Sequence, residues 1–172
     1  TRLLMLRIGR YAAEYLREQG MHYRMIALGA AILFTCGQGV GLSAERNKVL
    51  IANTIDGTKQ PSYVLLPDTF DPSGNPVPLL VSLHSWSGDL EQRNEPLETL
   101  ANARGWICLF PNFRGRNDHP EACDSEIAQQ DILDAVEWVK ANYPVDRRRI
   151  YLTGSSGGGH MTMMMVGRHP NV

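Results

Sequence analysis

Beyond residue 45 the apolar positions follow two periodicities that take turns along the chain. "KVLIANTIDGT" and "QPSYVLLPDTF" are β-rich runs, and Asp56-Gly57 between them predicts a hairpin. "DPSGNPVP" is loop on composition. "LLVSLH" (79–84) is a continuous apolar run, the pattern of a strand buried on both faces. "LEQRNEPLETLANARG" predicts a helix whose start is delayed by Pro96 and which stops at Gly105; "WICLFP" (106–111) predicts the next buried strand. Ala128, Ile132, Ala135, Val136, Val139 and Tyr143 then share one helical face, with Asp124 or Ser125 to cap the start and Pro144 to forbid continuation. Asp131 and Asp134 fall on the polar side of that helix, where solvated charge is expected. "RRRIYLTG" predicts another strand and "GGGHMTMMMVGRHP" a helix ending at Gly167. Strands and helices that alternate in this way predict βαβ units, hence an α/β class with a mainly parallel, doubly wound sheet.

Composition narrows the partners more than the fold. With 172 residues, 43% of them apolar and 20% charged, the chain suits one globular domain. Its formal charge of −1 and scattered Lys and Arg form no basic stripe, so no nucleic-acid partner is expected. Cys36, Cys108 and Cys123 have no zinc-ligand spacing, and no metal or cofactor is implied; a Cys108–Cys123 bridge is open, with unrelated thiols the preferred reading.

The N-terminal segment points to export. Arg24 precedes a charge-free run from Met25 to Ala44 that fades into Gly, Ser and Ala, which predicts a signal peptide over 21–44 cleaved after Ala44. Residues 1–20 are then an upstream or N-terminal extension, and residues 45–172 the functional domain of a secreted or periplasmic protein. An uncleaved anchor is the rival, and only it would bring a membrane into play. Beyond residue 44, 12 Lys and Arg face 16 Asp and Glu, a formal charge of −4.

The chemistry concentrates in "IYLTGSSGGGHMTMMM" (150–165). A flexible linker has no room there, because a strand pattern ends at Gly154 and a helical one begins at Gly159. A phosphate cradle would need G-x-x-x-x-G-K-[ST] or G-x-G-x-x-G, and neither spacing is present. Gly154-Ser155-Ser156-Gly157-Gly158 does satisfy G-x-S-x-G, the strand-to-helix turn that lifts a nucleophilic serine above a sheet. The turn is so sharp that side chains two residues on either side of the serine collide, which is why glycine occupies both places. Ser156 is the expected nucleophile, and the Gly157 amide at the helix N-terminus is an expected oxyanion donor. "HSWSGD", after the 79–84 strand, stands where a second donor belongs, and Trp86 is the residue whose amide would supply it; Trp86 is also readable as a hydrophobic lid residue.

On these residues the chain resembles the α/β-hydrolase superfamily from about Ile55 onward, and within it the prolyl oligopeptidase-like serine hydrolases. "DGTKQPSYVLLP" looks like that group's opening hairpin, "PNFRG" (111–115) its loop after the fourth core strand, and "QDILDAVEWVKANYPVDRRRIYLTGSSGGGHM" its helix, strand and elbow. Secreted polyhydroxybutyrate-depolymerase and feruloyl-esterase enzymes are similar over the same stretch. The resemblance implies acyl transfer to serine from a small-molecule or peptide substrate. Ser85 in place of Gly, and Trp86 where oligopeptidases often carry Tyr, depart from the peptidase pattern.

A serine needs a base and an orienting acid, which in this fold follow it as Asp or Glu and then His. After Ser156 there is no acidic residue, and the histidines are His160 and His169. His160 is expected to be a bystander on the elbow's own helix, and His169 to be solvent or loop. His84 is expected to brace the oxyanion loop, and His119 to be loop, near the pocket at most. The expectation is a hydrolase domain incomplete at its C-terminus, inactive by itself for want of the triad acid and base. The alternative is a non-catalytic interaction protein on a hydrolase scaffold.

Overall fold

The computed structural model describes residues 46–171; the extension at 1–20, the signal segment at 21–44 and Cys36 lie outside them. The first two strands, β1 (Asn47–Ala52) and β2 (Lys59–Leu65), form the expected antiparallel hairpin. Its loop turns at Gly57, φ 72°, where a side chain would be strained. The Asp56 carboxylate accepts from Thr58 N at 3.0 Å, and Asn53 Oδ1 from Ile55 N at 2.8 Å, so the loop's polar groups are internally satisfied.

Strand β3 runs from Val77 to Leu83, two residues earlier than composition suggested. Pro78 is tolerated because the pairing register shifts between Val77 and Leu79, so its missing N–H breaks no ladder. Helix α1 (Glu95–Ala103) does start late: Asn94 Oδ1 accepts from Leu97 N at 3.3 Å, Pro96 sits in the first turn, and Gly105 (φ 69°) ends the segment. After β4 (Ile107–Pro111), helix α2 (Glu126–Asn142) is capped by Ser125, whose Oγ accepts from Ala128 N at 3.1 Å. Strand β5 (Val145–Gly154) and helix α3 (Gly157–Arg168) complete the described chain.

The strand order is β1-β2-β4-β3-β5. β4, β3 and β5 are parallel, and the hairpin joins them through an antiparallel β2–β4 pairing. Consecutive residues of β3 feed two cores, which is why its sequence is a continuous apolar run. Leu79, Val81 and Leu83 pack with Ile107, Leu109, Ile132, Val136 and Met161 under α2 and α3; Leu80 packs with Cys108, Phe110 and Ala101 under α1. Burying each of these larger side chains stabilises by about 1.5–3 kcal/mol. Cys108 and Cys123 are free thiols, and burial pushes the Cys108 thiol up to about 12.

The polar side of α2 departs from expectation. Asp131 is buried at 4% exposure, and Arg114 forks onto it, with Nε 2.8 Å from Oδ2 and Nη2 3.2 Å from Oδ1. The same guanidinium reaches Asp56 Oδ2 at 2.8 Å, and Asn53 Nδ2 donates to Asp131 Oδ1. Asp134 is half-buried and accepts from Thr54 N at 2.8 Å. The hairpin loop and the loop after β4 therefore both close over this face of α2. Helical periodicity registers only the packing of the helix on its own sheet.

Candidate active site

The turn between β5 and α3 has the geometry that its glycines foretell. Ser156 has φ 53° and ψ −119°, a conformation that non-glycine residues adopt only under constraint. A Cβ at Gly154 would stand 2.4 Å from the carbonyl carbon of Gly158, and one at Gly158 would stand 2.4 Å from Leu83 O and 2.6 Å from His84 O. Both obstacles are backbone, which cannot rotate aside.

Gly157 faces the oxyanion loop. A Cβ there would lie 2.5 Å from Trp86 N and 2.7 Å from Trp86 Cα, so the two residues expected to donate amides are in backbone contact. Trp86 is 44% exposed. Its carbonyl accepts from Asn117 N at 2.9 Å, and Asn117 itself is buried. Ser85, which replaces the more usual glycine, donates from both N and Oγ to Gln92 Oε1, at 2.9 and 2.7 Å. That acceptor fills the space where Gly88 would carry a side chain, since a Cβ at Gly88 would come within 2.0 Å of it.

His84 braces the loop as expected. It is buried, its ring nitrogens lie 3.1 Å from Ser85 O and 2.9 Å from Asn112 O, and it stacks on Phe113 at 3.9 Å between centroids. Phe113, Arg114 and Gly115 all have left-handed φ (34°, 76° and 79°), so the loop after β4 doubles back beneath the oxyanion loop.

The remaining imidazoles are engaged elsewhere. His119 lies 3.0 Å from Glu121 Oε2 and 3.1 Å from Arg114 O, and His169 lies 3.0 Å from Gln129 Oε1. His160 Nδ1 is 2.8 Å from Asp124 Oδ2. None of these histidines is hydrogen-bonded to Ser156 Oγ among the described residues. Asp124, an alternative helix cap by sequence, leaves that role to Ser125 and takes a left-handed φ of 53°. A cavity of about 110 Å³ opens beside the elbow, lined by His84, Arg93, Phe110, Thr153 and Ser155 among others. Arg93 is committed to buried Glu98, which Arg46 also contacts at 2.7 Å. Among the described residues no group of three His, Cys, Asp or Glu side chains is arranged to hold a metal.

An elbow above parallel strands in the order β4-β3-β5 can be matched against known proteins. Residues 97–172 match the prolyl oligopeptidase family. The chain has the α/β-hydrolase fold, and its likeness to the prolyl oligopeptidase family lies in this stretch. It is 32% identical over 124 residues to feruloyl esterase B of Thermothelomyces thermophilus, covering 64% of this chain and 40% of that protein. It is 29% identical over 138 residues to dipeptidyl aminopeptidase BIII of Pseudoxanthomonas mexicana, covering 72% of this chain and 18% of that one. The chain thus spans less than half the length of these relatives. The acylaminoacyl peptidase of Pyrococcus horikoshii superposes with a TM-score of 0.60 at 22% identity, over 73% of this chain and 21% of that structure, which is a likeness of fold. Esterases and peptidases both occur among the relatives that this chain matches.

Sequence reasoning missed Gln92, Asn117 and the Asp124–His160 pair. Gln92 and Asn117 are polar residues in loops with no motif around them, and only the folded chain brings them to Ser85 and Trp86.

Proposed function

We propose that this α/β-hydrolase cleaves an ester or peptide bond through an acyl-enzyme on Ser156. The observation that carries the proposal is the strained backbone of Ser156, enforced by glycines that have no room for a Cβ. Strain of this kind persists where the surrounding structure over-determines it, and such places cluster at active sites. In the proposed reaction Ser156 Oγ attacks the substrate carbonyl and its proton passes to a base. The amides of Gly157 and Trp86 hold the tetrahedral oxyanion, the leaving group departs, and water releases the acid.

The described histidines are all otherwise engaged, so the base and its orienting acid are proposed to lie outside residues 46–171. This stretch is then inactive by itself. An esterase-like activity is favoured over a peptidase, on the departures at Ser85 and Trp86. Export through the 21–44 segment belongs to the same proposal, with a mature N-terminus at Glu45 expected on sequencing the secreted protein.

A fluorophosphonate probe tests the nucleophile. The full-length protein should be labelled and its Ser156→Ala variant should not; equal labelling of the two would leave a non-catalytic interaction protein as the better reading.

A further inference from the structure

The first turn of α3 is intrinsically weak. Gly157, Gly158 and Gly159 occupy it, and glycine is the poorest helix former after proline. The Ser156 side chain makes no capping hydrogen bond. Yet this turn carries the nucleophile and the Gly157 amide, so something outside the helix must hold it in place.

His160 is the first residue of α3 with a side chain, and it is anchored at both ends. Its backbone N–H donates to Ser156 O at 3.0 Å, and its ring Nδ1 lies 2.8 Å from Asp124 Oδ2. Asp124 is itself fixed, because its carbonyl accepts from Gln129 Nε2 at 2.7 Å and Gln129 is only 2% exposed. The other end of Gln129 meets His169, just past the C-terminus of α3. The segment from Asp124 to Gln129 therefore grips α3 near both of its ends.

We propose that His160 is a positioning residue for the elbow. Through the close polar contact of its Nδ1 with the Asp124 carboxylate it seats the glycine turn, and through its backbone bond to Ser156 it sets where the nucleophile and the Gly157 amide stand. The role rests on the hydrolase reading of Ser156. The ring is 57% exposed, and exposed pairs contribute little to overall stability, so the effect should fall on the elbow and not on folding.

The test uses the full-length protein, with p-nitrophenyl acetate hydrolysis, fluorophosphonate labelling and thermal melting. His160→Leu should lower kcat about five- to tenfold with KM within about twofold and Tm nearly unchanged. Asp124→Gly, which removes the carboxylate but suits the left-handed backbone, should do the same, and the double variant should be no worse than either single one. His160→Asn, which keeps an N–H donor near the Nδ1 position, should recover kcat to within about twofold of wild type. Unchanged kcat in His160→Leu overturns the proposal, as does a change confined to KM, which would mean that the ring touches substrate. An Asn variant as poor as Leu also overturns it. Wild-type protein that resists the fluorophosphonate overturns the hydrolase reading itself, whereas labelled wild type with indifferent His160 variants removes the positioning role alone.

Discussion

Two loops at the C-terminal ends of β4 and β5, the parallel strands on either side of β3, both carry left-handed backbone, and they are held by opposite means. The elbow after β5 is held by backbone against backbone: Gly154 on Gly158, Gly158 on Leu83 and His84, and Gly157 on Trp86. The loop after β4 is held by side chains: Phe113 is buried under His84, and Arg114 is clamped between Asp56 and Asp131. Contact of the first kind tolerates no added atom. That of the second kind tolerates changes of shape but not the loss of charge balance.

The sharpest way to break this contrast is at Gly158. Gly158→Ala should destabilise the protein by about 3 kcal/mol or more and abolish fluorophosphonate labelling, because the new methyl meets two carbonyl oxygens that cannot move. Gly167, in the last turn of the same helix, has nothing within 4 Å of the place a Cβ would take. Gly167→Ala should leave labelling intact and raise stability by about 0.5–1 kcal/mol, measurable by denaturant unfolding. Equal losses at the two glycines would mean that helix propensity, not close approach, explains the elbow.

At the second loop, Arg114→Leu should cost about 3–5 kcal/mol, since it leaves Asp131 buried without its partner. Burial already pushes the Asp131 carboxyl above the ordinary range, against the pull of Arg114 and Asn53. An Arg114→Leu, Asp131→Leu double variant should recover much of the loss in unfolding experiments. If it recovered nothing, the loop would depend on the Arg114 stem and not on the charge.

The smallest expected effect is a pH dependence. The Arg114 hydrogen bond, helped by Thr58, holds the Asp56 carboxyl well below its ordinary value. A depressed acid contributes stability that is fully present above the unfolded pKa of about 3.9 and is lost as pH falls through the folded one. The stability difference between wild type and Asp56→Asn should therefore be constant from neutral pH to about pH 5 and shrink on further acidification. A difference that grew on acidification would reverse the sign assigned to Asp56.

Much of the elbow was legible because its constraints are local. The collision of Gly154 with Gly158 spans four residues, and the Pro96, Gly105, Ser125 and Pro144 signals act within a turn of where they stand. The buried runs at 79–84 and 106–111 likewise announced central strands, because a strand covered on both faces leaves no polar position. Asp131 was misjudged for the complementary reason. Helical spacing assigns it to the outer face, and only the return of two loops, led by Asn53 and Arg114, covers it.

By itself, then, the amino-acid sequence determined the order of elements, the strand-to-helix turn and the residue at its tip, since each follows from sterics and periodicity over a few neighbours. Only the tertiary structure decided that Trp86 lies against Gly157, that Gln92 satisfies Ser85, and that the His160 ring is tied to Asp124. These contacts join residues that are distant in the chain or whose side-chain directions depend on how whole elements pack. No local pattern encodes them, because their energy exists only once the sheet has brought its strand ends together.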